Sequence, residues 1–276
     1  MAQGSERRSV LLAAVLLVIG IVAVYARSLA NGPVWDDVYL VTSNPFLESA
    51  EGLRVLVTND LWTASGKQEP SSFYRPLTML SFWLNAQLTG LSPASVRAGN
   101  ILIHAVIAVL LMLLLRRLIE PPRTAWAFGF AAFWGLMAVN SEPVFWISGR
   151  FDPITAAAAL ACMLANRVSG WKGPALVLLF AAAGLLSKEA FMGWLPLILV
   201  DDLLLLRRPV RQIAPKYLGM AAIVGLNLLL RSWVGIPSLS VVSETGVVRL
   251  IESYLFTVST LLSRAFIPVG LDPFHP

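Results

Sequence analysis

Long apolar runs separated by short polar segments dominate the pattern of this chain. The first run covers residues 10–26, all uncharged. As an α-helix it would be about 26 Å long, close to the ~30 Å hydrocarbon core of a bilayer. Further apolar runs cover residues 99–115, 124–141, 153–166, 173–187, 190–206, 217–230 and 248–268. The pattern predicts an all-α membrane protein, a helical bundle of about eight spans in a single module over residues 1–276.

The first run has a second interpretation. A secretory signal peptide also carries an apolar stretch, and residues 25–30 include small side chains of the kind that precede a cleavage site. We favour a membrane span, because the apolar stretch is long and because the topology of the later segments needs a helix here.

The composition excludes a soluble domain. Of the 276 residues, 57% are hydrophobic and 13% are charged, with a mean hydropathy of +0.72, whereas soluble domains are typically ~25% charged. The single cysteine, Cys162, lies in an apolar run, which excludes a disulfide framework and a cysteine metal site. The net charge of +5 comes from basic residues between the runs, not from one basic block, so we expect no nucleic-acid partner.

Loops rich in arginine and lysine alternate along the chain with loops that hold few. The positive-inside rule places the basic loops in the cytoplasm. They lie at residues 7–8, 116–123, 167–172 and 207–216. Residues 27–97 and 140–152 then share the non-cytoplasmic face, and spans two to eight lie within residues 98–270.

Residues 27–97 are too many for a plain connector and predict a large external first loop. Aromatic residues are spread among polar ones there, as is typical of elements that lie in the membrane interface. Residues 78–88 predict a short amphipathic helix parallel to the membrane, and Pro76 suits its first turn.

Two adjacent carboxylates, Asp36 and Asp37, follow the first span. Because like charges repel, one pKa of such a pair tends to rise, which suits a general base or a metal ligand. The alternative is a solvated turn after Gly32 and Pro33, which is the commoner outcome for an isolated pair of this kind.

Glu142, Arg150 and Asp152 form a charged cluster at the mouth of the predicted span 153–166, where a charge is costly unless it has a role. Arg150 could form an interfacial ion pair with Asp152 or Glu142. Alternatively, the three side chains could face a phosphate, with or without a cation between them. Arg75, directly before the interfacial helix, could bind lipid headgroups or a substrate phosphate.

Other polar residues lie on or beside the predicted spans. Asn100 and His104 are four residues apart on the second span and share a helix face, where a lone histidine is more often packed and hydrogen-bonded than a ligand. Lys188 and Glu189 lie at the outer end of the fifth span, on the side of the charged cluster, although such a pair can be only a turn. The acidic pair at 201–202 lies on the cytoplasmic side and is interpreted as structural.

Four blocks of sequence together resemble the GT-C glycosyltransferases. They are Trp35-Asp-Asp-Val-Tyr-Leu-Val-Thr-Ser-Asn-Pro45, Phe73-Tyr-Arg-Pro-Leu-Thr78, Glu142-Pro-Val-Phe-Trp-Ile-Ser-Gly-Arg-Phe-Asp152 and Gly184-Leu-Leu-Ser-Lys-Glu189. Their order is most similar to that of the transmembrane and tetratricopeptide-repeat O-mannosyltransferases and their bacterial relatives, over about residues 10–270. The resemblance implies a GT-C-like bundle that lacks the C-terminal part of the family, as a fragment, a short member or half of a split enzyme.

The resemblance also implies roles for individual residues. An acidic residue of the first external loop is the catalytic base in that family, and it corresponds to Asp36 or Asp37. The residues that correspond to a donor-phosphate or cation site are Arg75, Glu142, Arg150, Asp152, Lys188 and Glu189, with Asn100 and His104 in support. Mg²⁺ or Mn²⁺ is a candidate cofactor, with Asp36, Glu142 and Asp152 as candidate ligands.

The chain departs from the family at two places. Relatives often read His-Pro-x-His shortly before the glutamate, where this chain has Met137-Ala-Val-Asn140, and Arg97 stands in place of another common histidine. If those histidines bind a metal or the donor in relatives, this chain achieves the same end differently or lacks the activity.

The predicted function is an inverting glycosyltransferase that moves a sugar, with a mannose-like hexose as one candidate, from a polyprenyl-phosphate donor to a hydroxyl of a protein, glycan or lipid. Cations would stabilise the leaving phosphate, and a loop carboxylate would deprotonate the hydroxyl. The expected location is the bacterial cytoplasmic (inner) membrane, with the active site on its external face. The alternative is a noncatalytic GT-C-like subunit that assists a membrane partner. A transporter or flippase fits less well, because it predicts charges deep in several spans and inverted repeats.

Overall fold

The computed structural model describes residues 2–119 and 123–236, together with Glu252 and Phe256. Apart from those two residues, the predicted span at 248–268 lies outside the described residues. All regular structure in the described part is helical, which confirms the all-α class.

The chain forms ten α-helices in the described part. They are α1 (Ala2–Tyr25), α2 (Gly52–Thr58), α3 (Pro76–Thr89), α4 (Pro93–Leu118), α5 (Thr124–Leu136), α6 (Glu142–Phe145), α7 (Phe151–Ala165), α8 (Lys172–Ser187), α9 (Leu195–Val200) and α10 (Val210–Trp233). Short 3₁₀ turns cover Ala26–Ala30, Thr63–Ser65, Ala138–Asn140, Ile147–Arg150 and Glu189–Trp194, and π turns cover Val38–Thr42 and Asp201–Leu205.

Three helices of the described part are long and apolar enough to cross a membrane. They are Gly4–Ala30, which joins α1 to the 3₁₀ turn after it, Pro93–Leu118 and Val210–Trp233. Helices α5 and α8 are apolar but shorter, with 13 and 16 residues. The predicted membrane protein is therefore confirmed, and the count of eight spans stays a prediction.

Two predicted apolar runs do not form single helices. In the run 124–141 the helix ends at Leu136, and the Asn140 side chain donates a hydrogen bond to the Trp134 carbonyl (2.7 Å). The same carbonyl accepts from the Met137 N–H (3.3 Å), so both bonds help to close the end of the helix. The run 190–206 is divided among a 3₁₀ turn, α9 and a π turn, and its last turn holds two buried carboxylates.

Helix α4 lies at the centre of the described bundle. One apolar cluster, which includes Ile21 and Ala131, packs α4 against α1 and α5. A second, which includes Leu160, packs it against α7. A third, with Val177 and Met220, joins α7, α8, α9 and α10. Helices α7 and α8 therefore lie side by side within the bundle, and a polar cluster lies at each end of the pair.

Residues 27–97 fold around a small apolar core, to which Ile147 also contributes. Leu40, Leu56, Met79 and Phe82 are buried in it. Helix α3 confirms the helix predicted at 78–88 and begins at Pro76, as expected. The orientation of α3 in the membrane and the external position of this segment stay predictions.

Candidate active site

The adjacent carboxylates Asp36 and Asp37 have different surroundings. Asp37 is buried, and its two oxygens accept hydrogen bonds from the backbone N–H groups of Val34 (2.9 Å) and Ser148 (2.7 Å). Asp36 is half-buried, and its side chain has no hydrogen bond or ion pair with any residue that the structure describes. Asp37 therefore fixes the loop, while the carboxylate of Asp36 takes no part in holding it.

A buried arginine strengthens the same junction between the first loop and residues 140–152. Arg97 of α4 donates hydrogen bonds to the carbonyls of Asn31 (2.7 Å), Gly32 (3.0 Å) and Phe145 (3.0 Å). Arg97 replaces a histidine that is common in the resembled family, and here it holds two segments together. The structure thus brings the two segments into contact, while the side of the membrane on which they lie stays a prediction.

Three aromatic rings lead away from this junction. Trp35 contacts Trp146 edge to face with 5.7 Å between ring centroids, and Trp146 contacts Phe151 at the same distance. Trp35 has a φ of 47°, a region that few residues other than glycine occupy. Such backbone strain is concentrated at functional sites, which makes the loop that carries Asp36 a candidate for binding a ligand.

Two cations contact the ring of Phe151, the last ring of the aromatic path formed by Trp35, Trp146 and Phe151. The guanidinium carbon of Arg75 lies 4.3 Å from the ring centroid, and Nζ of Lys188 lies 5.0 Å from it. Each such contact is favourable by about 0.5–2 kcal/mol. Because the two positive charges repel each other, the arrangement also favours anions beside them.

Arg75 and Lys188 each form an ion pair with a carboxylate. Arg75 donates to the two carboxylate oxygens of Glu189 at 2.7 and 3.4 Å, and Lys188 Nζ lies 2.6 Å from Asp152. Burial alone would raise the pKa of Glu189, but the hydrogen bond and charge of Arg75, with the charge of Arg231, hold that pKa below its ordinary value. Glu189 is 32% exposed and Asp152 is 49% exposed, so solvent reaches the carboxylate of each ion pair.

The position of Lys188 and Glu189 depends on a glycine. A Cβ atom at Gly184 would lie 2.1 Å from the ring of Phe191, so only glycine lets that ring pack against the end of α8. The helix then ends at Ser187, and the backbone of Lys188 is extended. This turn directs the two charged side chains toward Arg75 and Asp152.

Arg150 does not take the position that the sequence predicted for it. Its guanidinium is 2% exposed and donates to Asn100 Oδ1 (2.7 Å), Asn85 Oδ1 (2.8 Å) and the carbonyls of Ser81 (3.1 Å) and Val96 (2.7 Å). Burial lowers its pKa to about 9, so it stays charged at neutral pH. The predicted ion pair with Asp152 or Glu142 is not formed, and Arg150 links α3, α4 and the turn before α7 instead of facing a phosphate.

The structure does not place the remaining predicted site residues beside the two cations, Arg75 and Lys188. Glu142 is exposed at the start of α6 and has no side-chain partner among the described residues. Asn100 is buried and donates to the carbonyls of Trp146 (3.3 Å) and the residue after it (3.1 Å), so it supports this turn and Arg150. His104 is buried, with Nε2 2.8 Å from the Gly135 carbonyl, which is the packed, hydrogen-bonded arrangement expected of a lone histidine in a span.

Arg231 was missed at the level of sequence. It lies in the last turn of α10 and donates to the Ser72 carbonyl (3.0 Å), beside the loop that leads to Arg75. Its charge acts on Glu189, which makes it a third cation near the site. An arginine at the end of an apolar helix, next to a loop with few basic residues, is the signal that could have identified it.

Two buried polar atoms near the aromatic path have no hydrogen-bond partner among the described residues. They are Nε1 of Trp146 and Oγ of Ser148. A buried donor left unsatisfied costs about 1–3 kcal/mol. A ligand with oxygen acceptors would offset that cost.

The candidate metal ligands are not grouped. In the part of the chain that the structure describes, no three His, Cys, Asp or Glu side chains lie close enough together to hold a metal ion. Asp152 forms an ion pair with Lys188, and the other two candidate ligands, Asp36 and Glu142, are not part of that ion pair. The residues present do not form a ready site, and a requirement for Mg²⁺ or Mn²⁺ stays a prediction.

The chain is similar in sequence to protein O-mannosyl-transferases. It is 30% identical to the human protein O-mannosyl-transferase TMTC3 over 184 residues, which are 63% of this chain and 20% of that protein. It is 36% identical to human TMTC1 over 143 residues (51% and 15%) and 30% identical to the Caenorhabditis elegans protein O-mannosyl-transferase F38B6.6 over 186 residues (65% and 26%).

The matched part is small relative to these proteins. The chain spans about a quarter or less of the length of the curated relatives it matches. No family model matches the chain, and no solved structure matches it. The predicted resemblance to the O-mannosyltransferases is confirmed by the sequence similarity.

Proposed function

We propose that this chain is an inverting glycosyltransferase that moves a sugar, a mannose-like hexose, from a polyprenyl-phosphate donor to an acceptor hydroxyl. The similarity to protein O-mannosyl-transferases supports sugar transfer and favours a protein hydroxyl as the acceptor. The apolar helices support a donor with a lipid tail. The alternation of basic loops favours a site on the non-cytoplasmic face of the membrane, which we propose to be a bacterial inner membrane.

One observation carries the proposal. The ring contacts from Trp35 through Trp146 to Phe151 connect the loop of Asp36, whose carboxylate has no partner among the described residues, to two cations. These are Arg75, which is buried, and Lys188, which is partly exposed. An inverting transfer needs a base on one side of the sugar and positive charge near the leaving phosphate on the other. The aromatic path provides an apolar surface between the two.

The cations have a defined task in this reaction. As the bond from the sugar to the phosphate breaks, the lipid phosphate gains negative charge, and cations held in place stabilise it. Arg75 can present a planar fork to two phosphate oxygens, while Lys188 acts as a point charge. Glu189 and Asp152 keep the two cations in position and give way to the phosphate.

Asp36 is the proposed general base, and Asp37 is a positioning residue. Each oxygen of the Asp37 carboxylate accepts a hydrogen bond from a backbone N–H group, whereas the Asp36 carboxylate has no partner among the described residues. Asp36 would take the proton of the acceptor hydroxyl as its oxygen attacks the anomeric carbon. No step of this proposal depends on a divalent cation.

The test compares Asp36→Asn and Asp37→Asn. Asparagine keeps the shape of Asp36 but cannot take the proton, so kcat should fall by at least about 100-fold while the affinity for polyprenyl phosphate is retained. Asp37→Asn replaces one acceptor by an N–H donor that faces another donor, so it should lower the thermal stability as well as the activity.

Glu51→Gln is the matched control, because it removes an exposed carboxylate of the same predicted loop that has no side-chain partner among the described residues, and it should leave kcat nearly unchanged. If Asp36→Asn transfers sugar at the wild-type rate, Asp36 is not the base. If the purified wild type binds polyprenyl phosphate but transfers no sugar to any acceptor hydroxyl, the noncatalytic subunit is the better account.

A further inference from the structure

A second polar cluster lies at the opposite end of α7 and α8 from the candidate active site. Helix α7 has 15 residues, so its ends are about 22 Å apart. At its far end, Asn166 donates hydrogen bonds to Asp201 (2.9 Å) and Asp202 (3.0 Å). Arg167 binds both oxygens of Asp201 at 2.6 and 2.9 Å. The cluster therefore joins the end of α7 to the π turn.

Helix α10 and the segment before it complete the cluster. Asp202 also accepts from Arg208 (3.0 Å), Lys216 and the hydroxyl of Tyr217 (2.7 Å). Asp202 and Lys216 are almost fully buried, at 0% and 4% exposure. The sequence predicted a structural role for the two aspartates, and these contacts agree with it.

The charges of the cluster do not balance. Its three cations are Arg167, Arg208 and Lys216, and its two anions are Asp201 and Asp202. Among the described residues, one positive charge is therefore left without a carboxylate of its own, because Arg208 and Lys216 share Asp202 and their side chains are 26% and 3% exposed. Because a buried charge without a counter-charge is costly, the imbalance favours an anion nearby.

Donor groups of the cluster also remain unused. Lysine has three N–H donors and arginine has five. Lys216 uses two of its donors, on Asp202 and Asn166. Arg208 uses three, on the side chains of Asn166 and Asp202 and on the backbone carbonyl of Asn166. Three charged N–H groups are therefore free of partners within the described residues.

A cavity of about 270 Å³ opens beside these donors. Arg208 and Lys216 form part of its wall, and Gln212, Ser169, Gly170 and Pro174 are among the other residues that line it. The volume equals that of about nine water molecules, which is enough for a phosphate group with a small substituent. Arginine, lysine, amide and hydroxyl donors around one cavity are the groups that bind phosphate.

We propose that this cavity binds a phosphate group, either free phosphate or the phosphate of an anionic lipid headgroup, at the end of the bundle opposite the candidate active site. The phosphate would neutralise the excess charge and accept hydrogen bonds from Arg208, Lys216 and Gln212. Basic cavities between membrane helices on the cytoplasmic side are suited to headgroups, and the basic loops predict that side for this cavity.

The test uses two neighbouring residues of α10. Gln212→Glu and Arg211→Gln each make the chain more negative by one charge, but only Gln212 lines the cavity, and neither side chain belongs to the ion-pair cluster. Wild type and both variants are placed in nanodiscs of phosphatidylcholine, and Tm is measured with inorganic phosphate and with chloride at equal ionic strength. A second set of nanodiscs contains phosphatidylglycerol.

We expect an anion to raise Tm of the wild type and of Arg211→Gln by at least about 2 °C. The rise should be abolished in Gln212→Glu, whose carboxylate repels the anion. A response to inorganic phosphate identifies free phosphate as the source, and a response to phosphatidylglycerol alone identifies the headgroup.

Two results would overturn the proposal. One is the absence of any rise in the wild type with either anion. The other is a rise that survives in Gln212→Glu, because the anion would then bind elsewhere, for example at Arg75 and Lys188. Neither result bears on sugar transfer, so the proposed function stands or fails separately.

Discussion

Two aspartate–lysine pairs, at opposite ends of α7 and α8, differ in almost every physical respect. In one pair, Lys188 and Asp152 are 22% and 49% exposed, and each has a single charged partner. In the other, the side chains of Lys216 and Asp202 are 3% and 0% exposed. Both also form hydrogen bonds with Asn166. The same two residue types thus form an exchangeable pair at one end and a closed network at the other.

The difference shows why identical residue types carry different functions in one bundle. An exposed pair contributes only about 0–1 kcal/mol, so a ligand displaces it at little cost. A buried pair is costly to break, because the partner left behind keeps an uncompensated charge. The end with weak pairs is the better active site, and the end with the strong network fixes the helices.

The largest expected effect comes from breaking the buried network. Asp202→Ala would leave Lys216 and Arg208 without their shared carboxylate, so we expect the free energy of unfolding to fall by about 3–5 kcal/mol. Denaturant unfolding of the purified protein in detergent micelles measures this change. Asp202→Asn, which keeps the shape and removes only the charge, separates the loss of charge from the loss of packing. A decrease below about 1 kcal/mol in Asp202→Ala would show that the network is not the stable end of the bundle.

An intermediate loss of stability is expected for Arg150→Lys. This variant tests whether Arg150 supports the site from within the fold or contacts the donor directly. Its guanidinium makes four hydrogen bonds from three nitrogen atoms, and a lysine at this position has one nitrogen. Arg150→Lys should therefore lower the free energy of unfolding by about 2–4 kcal/mol, with little change in polyprenyl-phosphate affinity in the folded protein.

Arg75→Lys is the matched comparison, because it makes the same chemical change at a partly exposed pair. It should affect stability less and weaken polyprenyl-phosphate binding more, since the planar fork of Arg75 is lost. If instead Arg150→Lys remains as stable as wild type and loses donor affinity, Arg150 contacts the phosphate after all.

Local patterns in the sequence were enough to predict the long helices that are continuous. The apolar runs gave α1, α4 and α10, and Pro76 marked the start of α3, because helix length and proline placement depend on neighbouring residues. The same patterns failed at 190–206. The turn there depends on Phe191 packing against Gly184 and on carboxylates that bind residues of α7 and α10.

The site was only partly predictable, because the role of an arginine depends on partners from distant segments. Arg75 and Arg150 look equivalent in sequence, and both are buried over an aromatic ring. Arg75 is nevertheless paired with a partly exposed glutamate, whereas Arg150 donates only to amide and carbonyl oxygens. Gly99 makes the burial of Arg150 possible, because a Cβ atom there would lie 2.7 Å from Nη2 of Arg150. The pattern of apolar and polar residues along the sequence does not indicate a contact between residues so far apart in the chain.

The smallest expected effect on stability is at the exposed pair. Asp152→Asn removes the charge that Lys188 contacts at 2.6 Å, and because both side chains are partly solvated, the free energy of unfolding should change by less than about 1 kcal/mol. The freed ammonium group has no competing carboxylate, so polyprenyl-phosphate affinity should stay equal or rise. Parallel unfolding of Asp152→Asn and Asp202→Asn compares the two ends directly. Equal losses of stability in these variants would mean that the exposed pair stabilises the fold as much as the buried pair does. Asp152 would then be a structural residue that does not give way to the donor phosphate.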